Sequence, residues 1–402
     1  MEGYPMSSTI SKIFERFIRQ RKYLEQTIDE LRTAMEQYAG IVLYGAGSSG
    51  IALLLALQRA GIQPLCFSDG AQEKWGTMCM GLEIIPPQEL AQRFGLNILI
   101  FVCINTDGQI YCRSFDEALR QGGHTGVHQK LRDCGCLHVV DYIALRQCFA
   151  LFHGDNTGNL PSCPDVDCIL SHRENIEQVY AHLGDSQSKE IYANILTFRL
   201  FGESPEILTL PQEEKYFPHE LVSLSSRETF VDCGAFDGQT CGDLLAQTGD
   251  ELEAYYALEP DPANYGKLEQ FQTVLPAGLQ AKMKLLPCAA WSEETSVPLY
   301  ALHGPGSFMA PYGKVHVKAI TIDSVLNGRQ ATSIKMNIEG SELAALAGAQ
   351  ETIRRWHPKL MIAGYHKTWD FWEVPELMLR AGYTVYLRSY MHHLSFVFYG
   401  LA

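Results

Sequence analysis

The chain has 402 residues, 46% of them hydrophobic and 19% charged, which at roughly 150 residues per domain is enough for two or three domains and excludes a disulfide-stapled mini-protein or a disordered tail. Its 32 basic and 46 acidic side chains give a formal charge of −14, which opposes a nucleic-acid backbone, and the basic runs Arg19 to Lys22 and Arg354-Arg355 are too short to reverse it. The longest apolar runs, such as Ile51 to Leu57 and Ile98 to Ile104, fall far below the ~20 residues of a membrane span, and no signal-peptide pattern opens the chain. The expectation is a soluble cytoplasmic protein with no nucleic-acid partner and with free cysteines.

Residues 7 to 38 predict one amphipathic helix. Phe14, Phe17, Leu24, Ile28, Leu31 and Met35 recur at three- and four-residue spacings, broken only by Arg21, and form an apolar stripe. Such a stripe buries either against a second copy, giving a homodimer, or against the chain's own next domain. An α/β unit follows over residues 39–150. Its strand Ile41 to Tyr44 leads into Gly45-Ala46-Gly47-Ser48-Ser49-Gly50, then a helix, a strand Leu65 to Phe67, and Asp69, 19 residues beyond Gly50. Further strands are Asn97 to Ile104 and His138 to Asp141. Cys134, Cys136, Cys148, Cys163 and Cys168, with His138 and His153 among them, lack the paired knuckles of a zinc site, and no metal is expected.

Residues 151–205 read as a helical connector, turn-rich from Gly154 to Pro164 and helical from Glu174 to Arg199. Residues 206–402 alternate strands with helical stretches: Thr229 to Cys233, Glu253 to Leu258, Lys284 to Cys288, Ile334 to Ile338, Leu360 to Ala363 and Thr384 to Leu387. That alternation predicts an α/β fold with a doubly wound, mostly parallel sheet, whose ligand sites lie at the carboxyl ends of the strands.

The two glycine loops differ in charge. Gly45, Gly47 and Gly50 form a G-x-G-x-x-G without a carboxylate, so its amides suit a diphosphate, and Asp69 stands near the usual ribose spacing; a dinucleotide such as NAD(P), or a nucleotide sugar, would fit, and so would a purely structural turn. In Asp232-Cys233-Gly234-Ala235-Phe236-Asp237-Gly238 two carboxylates flank the glycines. They oppose a diphosphate and favour a ligand with an ammonium and a sulfonium, which points to S-adenosylmethionine. Glu259 ends the next strand, where an acid can accept hydrogen bonds from both ribose hydroxyls. The plainer alternative makes Asp237 a helix cap and Glu259 a surface acid.

These residues, with Leu258-Glu259-Pro260-Asp261-Pro262, Lys335-Met336-Asn337-Ile338-Glu339-Gly340-Ser341-Glu342, Leu346-Ala347-Gly348-Ala349 and Tyr365-His366-Lys367, resemble the FkbM-type S-adenosylmethionine-dependent methyltransferases over residues 228 to 400. The resemblance implies a Rossmann-like methyltransferase fold in which the loop from Asp232 to Gly238 holds the methionine part of the cofactor and Glu259 its ribose. Ala289 and Ala290, in Cys288-Ala289-Ala290-Trp291, then lie near the adenine. Asn337 stands where the family pattern usually has aspartate, so it keeps an acceptor oxygen without the charge of a base. The N-terminal unit resembles, more loosely and over about 70 residues, the small Rossmann-like domains attached to sugar-modifying enzymes, through the loop, Phe67-Ser68-Asp69, Lys74-x-Gly76, Gly81 and Pro86 to Leu90. That implies a link to nucleotide-sugar or polysaccharide metabolism.

Methyl transfer to a hydroxyl needs alignment and a proton acceptor. His366 and Glu339 are the candidate bases, with Asp370 placed to orient His366. Asn337, Glu339 and Glu342 could instead share a divalent ion, or the two glutamates could cap the Gly340 turn. Adjacent His392 and His393 would point to opposite faces of a strand. The acceptor is expected to be a saccharide or related small metabolite, and the stretches His303 to Val315 and Thr368 to Glu373, which include Phe308, Tyr312, Trp369, Phe371 and Trp372, an aromatic rim around it. A nicotinamide-dependent sugar enzyme and a non-catalytic scaffold are the alternatives; the former lacks a Tyr-x-x-x-Lys pair.

Overall fold

The computed structural model describes residues 9–20, 28–104, 119–120, 125–142, 166–201, 209–211, 214–249, 251–302, 306–391 and 395–402. The chain divides into two compact units, one of Met1–Arg173 with Asn194–Pro205, the other of Glu174–Ala193 with Glu206–Ala402. The segment expected as a connector is therefore shared between them. Residues 174–193 join the second unit through specific contacts: Tyr192 stacks on Phe371 at 4.0 Å, Asn175 donates to Glu376, and Asp185 pairs with the buried Arg388.

In the first unit, helices Thr9–Gln20 and Ile28–Glu36 carry the N-terminal stripe; residues 21–27, Leu24 among them, lie outside the described residues. Ile10, Phe14, Phe17 and Met35 are buried within the single chain, Phe17 edge-on to Phe201 at 5.5 Å. Of the stripe residues, Phe14, Phe17 and Met35 are thus buried within the one chain. Strands β1 (Gly40–Tyr44), β2 (Cys66–Ser68), β3 (Met78–Cys79), β4 (Leu82–Ile85), β5 (Ile98–Val102) and β6 (His138–Asp141) form a sheet of order β3-β4-β2-β1-β5-β6, parallel except for the β3–β4 hairpin. Cys148, Cys163 and His153 lie outside the described residues.

The second unit contains two sheets, one central and one flanking. Strands β7 (Thr229–Cys233), β8 (Ala254–Leu258) and β9 (Met283–Leu286) belong to the central sheet, whereas β10 (Cys288–Ala290), β11 (Thr295–Tyr300), β12 (Phe308–Met309) and β13 (Val315–Ile320) form the flanking one. The predicted single strand Lys284 to Cys288 is thus corrected: the chain leaves the central sheet after Leu286, and Cys288 to Ala290 pairs in parallel with β13 instead. With β14 (Ser333–Met336), β15 (Lys359–Ala363), β16 (Thr384–Met391) and β17 (Ser395–Leu401), the central order is β16-β17-β15-β14-β7-β8-β9. Strand β17 inserts antiparallel between β15 and β16, and the remaining pairs are parallel. The predicted doubly wound, mostly parallel α/β fold is what forms. Chain direction across the sheet reverses between β7 and β14, and a doubly wound sheet opens a crevice at such a point, beyond the carboxyl ends of its strands.

At the opposite edge, Glu228 ties three strands together. Its buried carboxylate accepts from Lys359 Nζ at 2.7 Å, from the Ser333 hydroxyl at 2.7 Å, from the Thr332 hydroxyl and from the Ser225 amide. Burial would raise its pKa, but these donors, Lys359 first, hold it below the ordinary glutamate value of 4.5. A lowered carboxylate stabilises the fold above its unfolded pKa and loses that contribution as pH falls toward its folded value. Glu228→Ala should cost about 3–5 kcal/mol at neutral pH because Lys359 loses its partner. Urea titration should show that deficit shrinking below about pH 4; an equal deficit at every pH would contradict the linkage.

Candidate functional site

The crevice between the ends of β7 and β14 is a cleft of about 740 Å³, counting space open to solvent. Its floor is the loop after β7. Gly234 has φ +81°, and a Cβ there would meet the Asn337 carbonyl oxygen at 2.2 Å, so only glycine lets the two strand ends approach so closely. Gly238 has φ +93° and lies under the Phe271 ring, which a Cβ would meet at 2.4 Å. Two non-glycine residues of the lining, Phe236 (φ +52°) and Glu339 (φ +56°), also adopt left-handed backbone. Such conformations persist where the surrounding structure over-determines them, and they cluster at ligand sites.

Gly234, Phe236, Glu259, Ala289, Ala290, Asn337 and Glu339, all singled out from the sequence, line this one cleft. Glu259 is buried at the tip of β8. One of its oxygens accepts from the Phe236 amide at 3.0 Å and the other from the Asp261 amide at 2.9 Å, which leaves lone pairs on both. Burial raises its pKa above the ordinary value, with the two amides opposing. Ala289 and Ala290 bring the flanking sheet to the wall. From the same sheet's loop, Ser307 donates to Asp261 at 2.6 Å, and Asp261 also caps the helix Pro262–Val274. Asn264 also lines the cleft and was not seen in the sequence, whereas Ser307 and Ser341 lay within the quoted stretches His303 to Val315 and Lys335 to Glu342 without being singled out.

Other candidates fall elsewhere. Asp232 is fully buried beneath the loop, paired with Lys335 Nζ at 2.8 Å and accepting from the Tyr255 hydroxyl at 2.5 Å, so its charge is neutralised and does not face a ligand. Lys335 also donates to the Gly234 carbonyl at 2.8 Å, which fixes the loop from below. Asp237 precedes the N-cap Gly238 of the helix Gln239–Thr248 and accepts from the Gln239 amide two residues on, a turn contact within its own loop. Ala235 is buried under the loop, its amide bonded to the Leu258 carbonyl. Phe371 and Trp372 are buried core residues rather than rim; the aromatic cluster near the cleft is Tyr300, Phe308 and Tyr312, with ring centroids 5.5 to 6.4 Å apart. His392, His393 and residues 303–305 lie outside the described residues.

His366 corrects a further expectation. Its ring is buried between Glu342, 2.8 Å from Nδ1, and Glu339, 3.4 Å from Nε2. Burial alone would lower its pKa, but the two carboxylates, Glu342 first, outweigh that and raise it well above 6.5, a direction that favours the imidazolium over the neutral ring a base needs. Glu342 in turn accepts the Ile338 and Gly340 amides, and its pKa is lowered because His366 overcomes the penalty of burial. Asp370, buried close by, accepts the Lys367 amide, and burial together with the Glu342 charge pushes its pKa up to about 7. Glu342, His366 and Asp370 bring one ligand-type atom each within 4.8 Å of one another.

In the N-terminal unit, Gly45 has φ +112°, and at Gly50 a Cβ would meet the Gly45 carbonyl at 2.0 Å. Gly47 precedes the helix Ser48–Arg59. Asp69, the expected ribose acceptor, instead locks the loop: it accepts the Ala46 and Ala71 amides at 2.9 Å and pairs with Lys74 at 3.0 Å.

Residues 232–398 match the family model described as the methyltransferase FkbM domain. The fold is similar to the crystal structure of a methyltransferase FkbM from Methylobacillus flagellatus KT, with a TM-score of 0.66 at 20% identity over 98% of this chain and 99% of that one. An rRNA methylase from Streptococcus thermophilus aligns at TM-score 0.29 and 14% identity over 44% of this chain and 87% of that one. Fibrillarin from Aeropyrum pernix, solved with S-adenosyl-L-methionine, aligns at 0.30 and 10% over 45% and 70%. No curated protein matches the chain significantly.

A group whose folded pKa is raised stabilises the fold fully below its unfolded value and loses that contribution as pH rises toward the folded one. Wild type should therefore lose thermal stability from about pH 6 upward, and His366→Gln should show a flatter curve over the same range. Parallel curves would contradict the protonated state assigned to His366.

Proposed function

We propose, with residues 232–398 forming a methyltransferase FkbM domain, that the cleft binds S-adenosylmethionine and that the protein O-methylates a hydroxyl of a saccharide or related small metabolite. The observation that carries this reading is Glu259: a buried carboxylate at a strand tip, beside a glycine loop, with lone pairs left over after its two amide bonds. Those lone pairs suit the two hydroxyls of a ribose. Ala289 and Ala290 give a small, flat wall for the adenine, and Glu339 places a carboxylate on the side where a sulfonium would lie.

When bound, the donor supplies an already activated methyl carbon. The protein's own work is to align an acceptor hydroxyl with it and to receive a proton. Asn337, at the end of β14, offers an amide to orient the hydroxyl. His366 acts as a positioning residue: its cation pins Glu339 and Glu342, and through Glu342 the turn from Ile338 to Gly340. A nicotinamide site in the first unit finds no support, since Asp69 is engaged by its own loop and Lys74.

Calorimetric titration tests the donor. S-adenosylmethionine should bind the wild type, and Glu259→Ala should weaken binding by about tenfold or more, the loss of one to two hydrogen bonds to a charged group. A nicotinamide dinucleotide should give no heat. Dinucleotide binding without S-adenosylmethionine binding would overturn the reading; where the donor does bind, incubation with it and a panel of hexoses and pentoses identifies the acceptor class by mass increase.

A further inference from the structure

The carboxamide of Asn337 has an accepting end and a donating end, and the structure shows where the first one goes. Its Oδ1 accepts from the Tyr365 hydroxyl at 3.1 Å. Tyr365 is buried just past the carboxyl end of β15 and takes no part in the cleft wall, whereas Asn337 is half-buried and lines it. Among the described residues no protein group accepts from Asn337 Nδ2. Two N–H groups at the wall of the cleft are therefore left for a ligand.

The direction of the bond between Tyr365 and Asn337 is set from behind. Lys215, in the turn before β7, brings Nζ within 3.1 Å of the Ser395 hydroxyl oxygen and 3.5 Å of Tyr365 Oη. An ammonium has hydrogens and no lone pair, so it can only donate to both. Each hydroxyl then receives from Lys215 and keeps its own hydrogen to give. For Tyr365 the receiving atom is Asn337 Oδ1. With the carboxamide turned over, Nδ2 would bring a second donor to the phenol oxygen and the phenol hydrogen would lose that acceptor, a costly arrangement for buried groups. Oδ1 and Nδ2 diverge from one carbon, so an oxygen turned back to Tyr365 sends the nitrogen to the other side.

We propose that Tyr365, with Lys215 and Ser395 behind it, is a positioning residue that turns the Asn337 N–H groups into the cleft, so that this position takes an oxygen lone pair of the methyl acceptor rather than an O–H. The inference rests on the methyltransferase reading of the cleft and sharpens its specificity. An acceptor hydroxyl docks here with its oxygen toward Asn337 and its hydrogen directed away. An aspartate at 337 would offer lone pairs only, with Tyr365 donating to one of its oxygens, and the other would repel the same lone pair. Charge and size barely differ from hydroxyl to hydroxyl on a sugar, but the direction of a hydrogen bond does, and a fixed donor selects among them.

Neutron diffraction from deuterium-exchanged crystals of the full chain tests the orientation without any acceptor. The Tyr365 deuteron should point to Asn337 Oδ1, and both deuterons on Asn337 Nδ2 should lie away from Tyr365, toward the cleft; an Nδ2 deuteron directed at Tyr365 Oη overturns the proposal. Kinetics on a sugar of the hexose and pentose panel that accepts methyl test the consequence. KM for that sugar should rise about tenfold in Asn337→Ala and in Tyr365→Phe, the loss of one hydrogen bond, with S-adenosylmethionine affinity unchanged. Because Tyr365 acts only through Asn337, the double variant should be no worse than Asn337→Ala. Asn337→Asp should raise KM at least as far. Independent effects that multiply in the double variant, or a Tyr365→Phe loss confined to kcat or to donor affinity, would overturn the positioning role; if no sugar of the panel is methylated, the neutron density decides alone. S-adenosylmethionine titration separates the two claims: a wild type that does not bind the donor sinks the reading of the cleft, whereas donor binding with Nδ2 turned to Tyr365 sinks only the positioning.

Discussion

The buried ammonium of Lys335 holds the centre of the second unit. It reaches from β14 to the Asp232 carboxylate on β7 and to the carbonyl of Gly234 just beyond it, so one cation fixes both the pairing of the two strands that flank the switch point and the loop that leaves one of them. Removing either member of such a pair leaves a stranded charge, a loss of about 3–5 kcal/mol. The geometry of the cleft follows from this tie. With the loop drawn down, Gly234 must pass within a Cβ's reach of the Asn337 carbonyl, and the Phe236 amide turns toward Glu259. The glycine, the positive φ of Phe236 and the orientation of Glu259 are consequences of one packing constraint.

The charges around the cleft are sorted by partner. Asp232 is cancelled by Lys335 beneath the loop, and Glu342 is cancelled by His366 beneath the opposite wall. Glu259 and Glu339 remain exposed to the cavity, one at the place for a ribose and the other on the side where a cationic methyl donor would carry its charge.

Much of this was legible in the sequence because strand ends are legible. Thr229 to Cys233 and His138 to Asp141 were bounded as they occur, and since ligand sites in a doubly wound sheet lie past the strand tips, Gly234, Glu259, Asn337 and Glu339 were found without coordinates. What was misread shares one cause: a charge in a motif does not reveal its partner. Asp232 looked like a ligand contact until Lys335, 103 residues away, was seen to neutralise it. Histidine's ordinary pKa suggested a base, and two carboxylates reversed that. Phe371 and Trp372 had the composition of a rim and the burial of a core. The flanking sheet escaped notice because Leu286 and Cys288 are only two residues apart yet belong to different sheets.

The most direct test of the whole arrangement is a crystal structure of the chain with S-adenosylhomocysteine. The ribose hydroxyls should lie within hydrogen-bond reach of Glu259, the adenine against Ala289 and Ala290, and the sulfur facing Asn337 and Glu339. A nucleoside bound away from Glu259, or density confined to the loop from Gly45 to Gly50, would contradict the assignment of this cleft as the methyl-donor site.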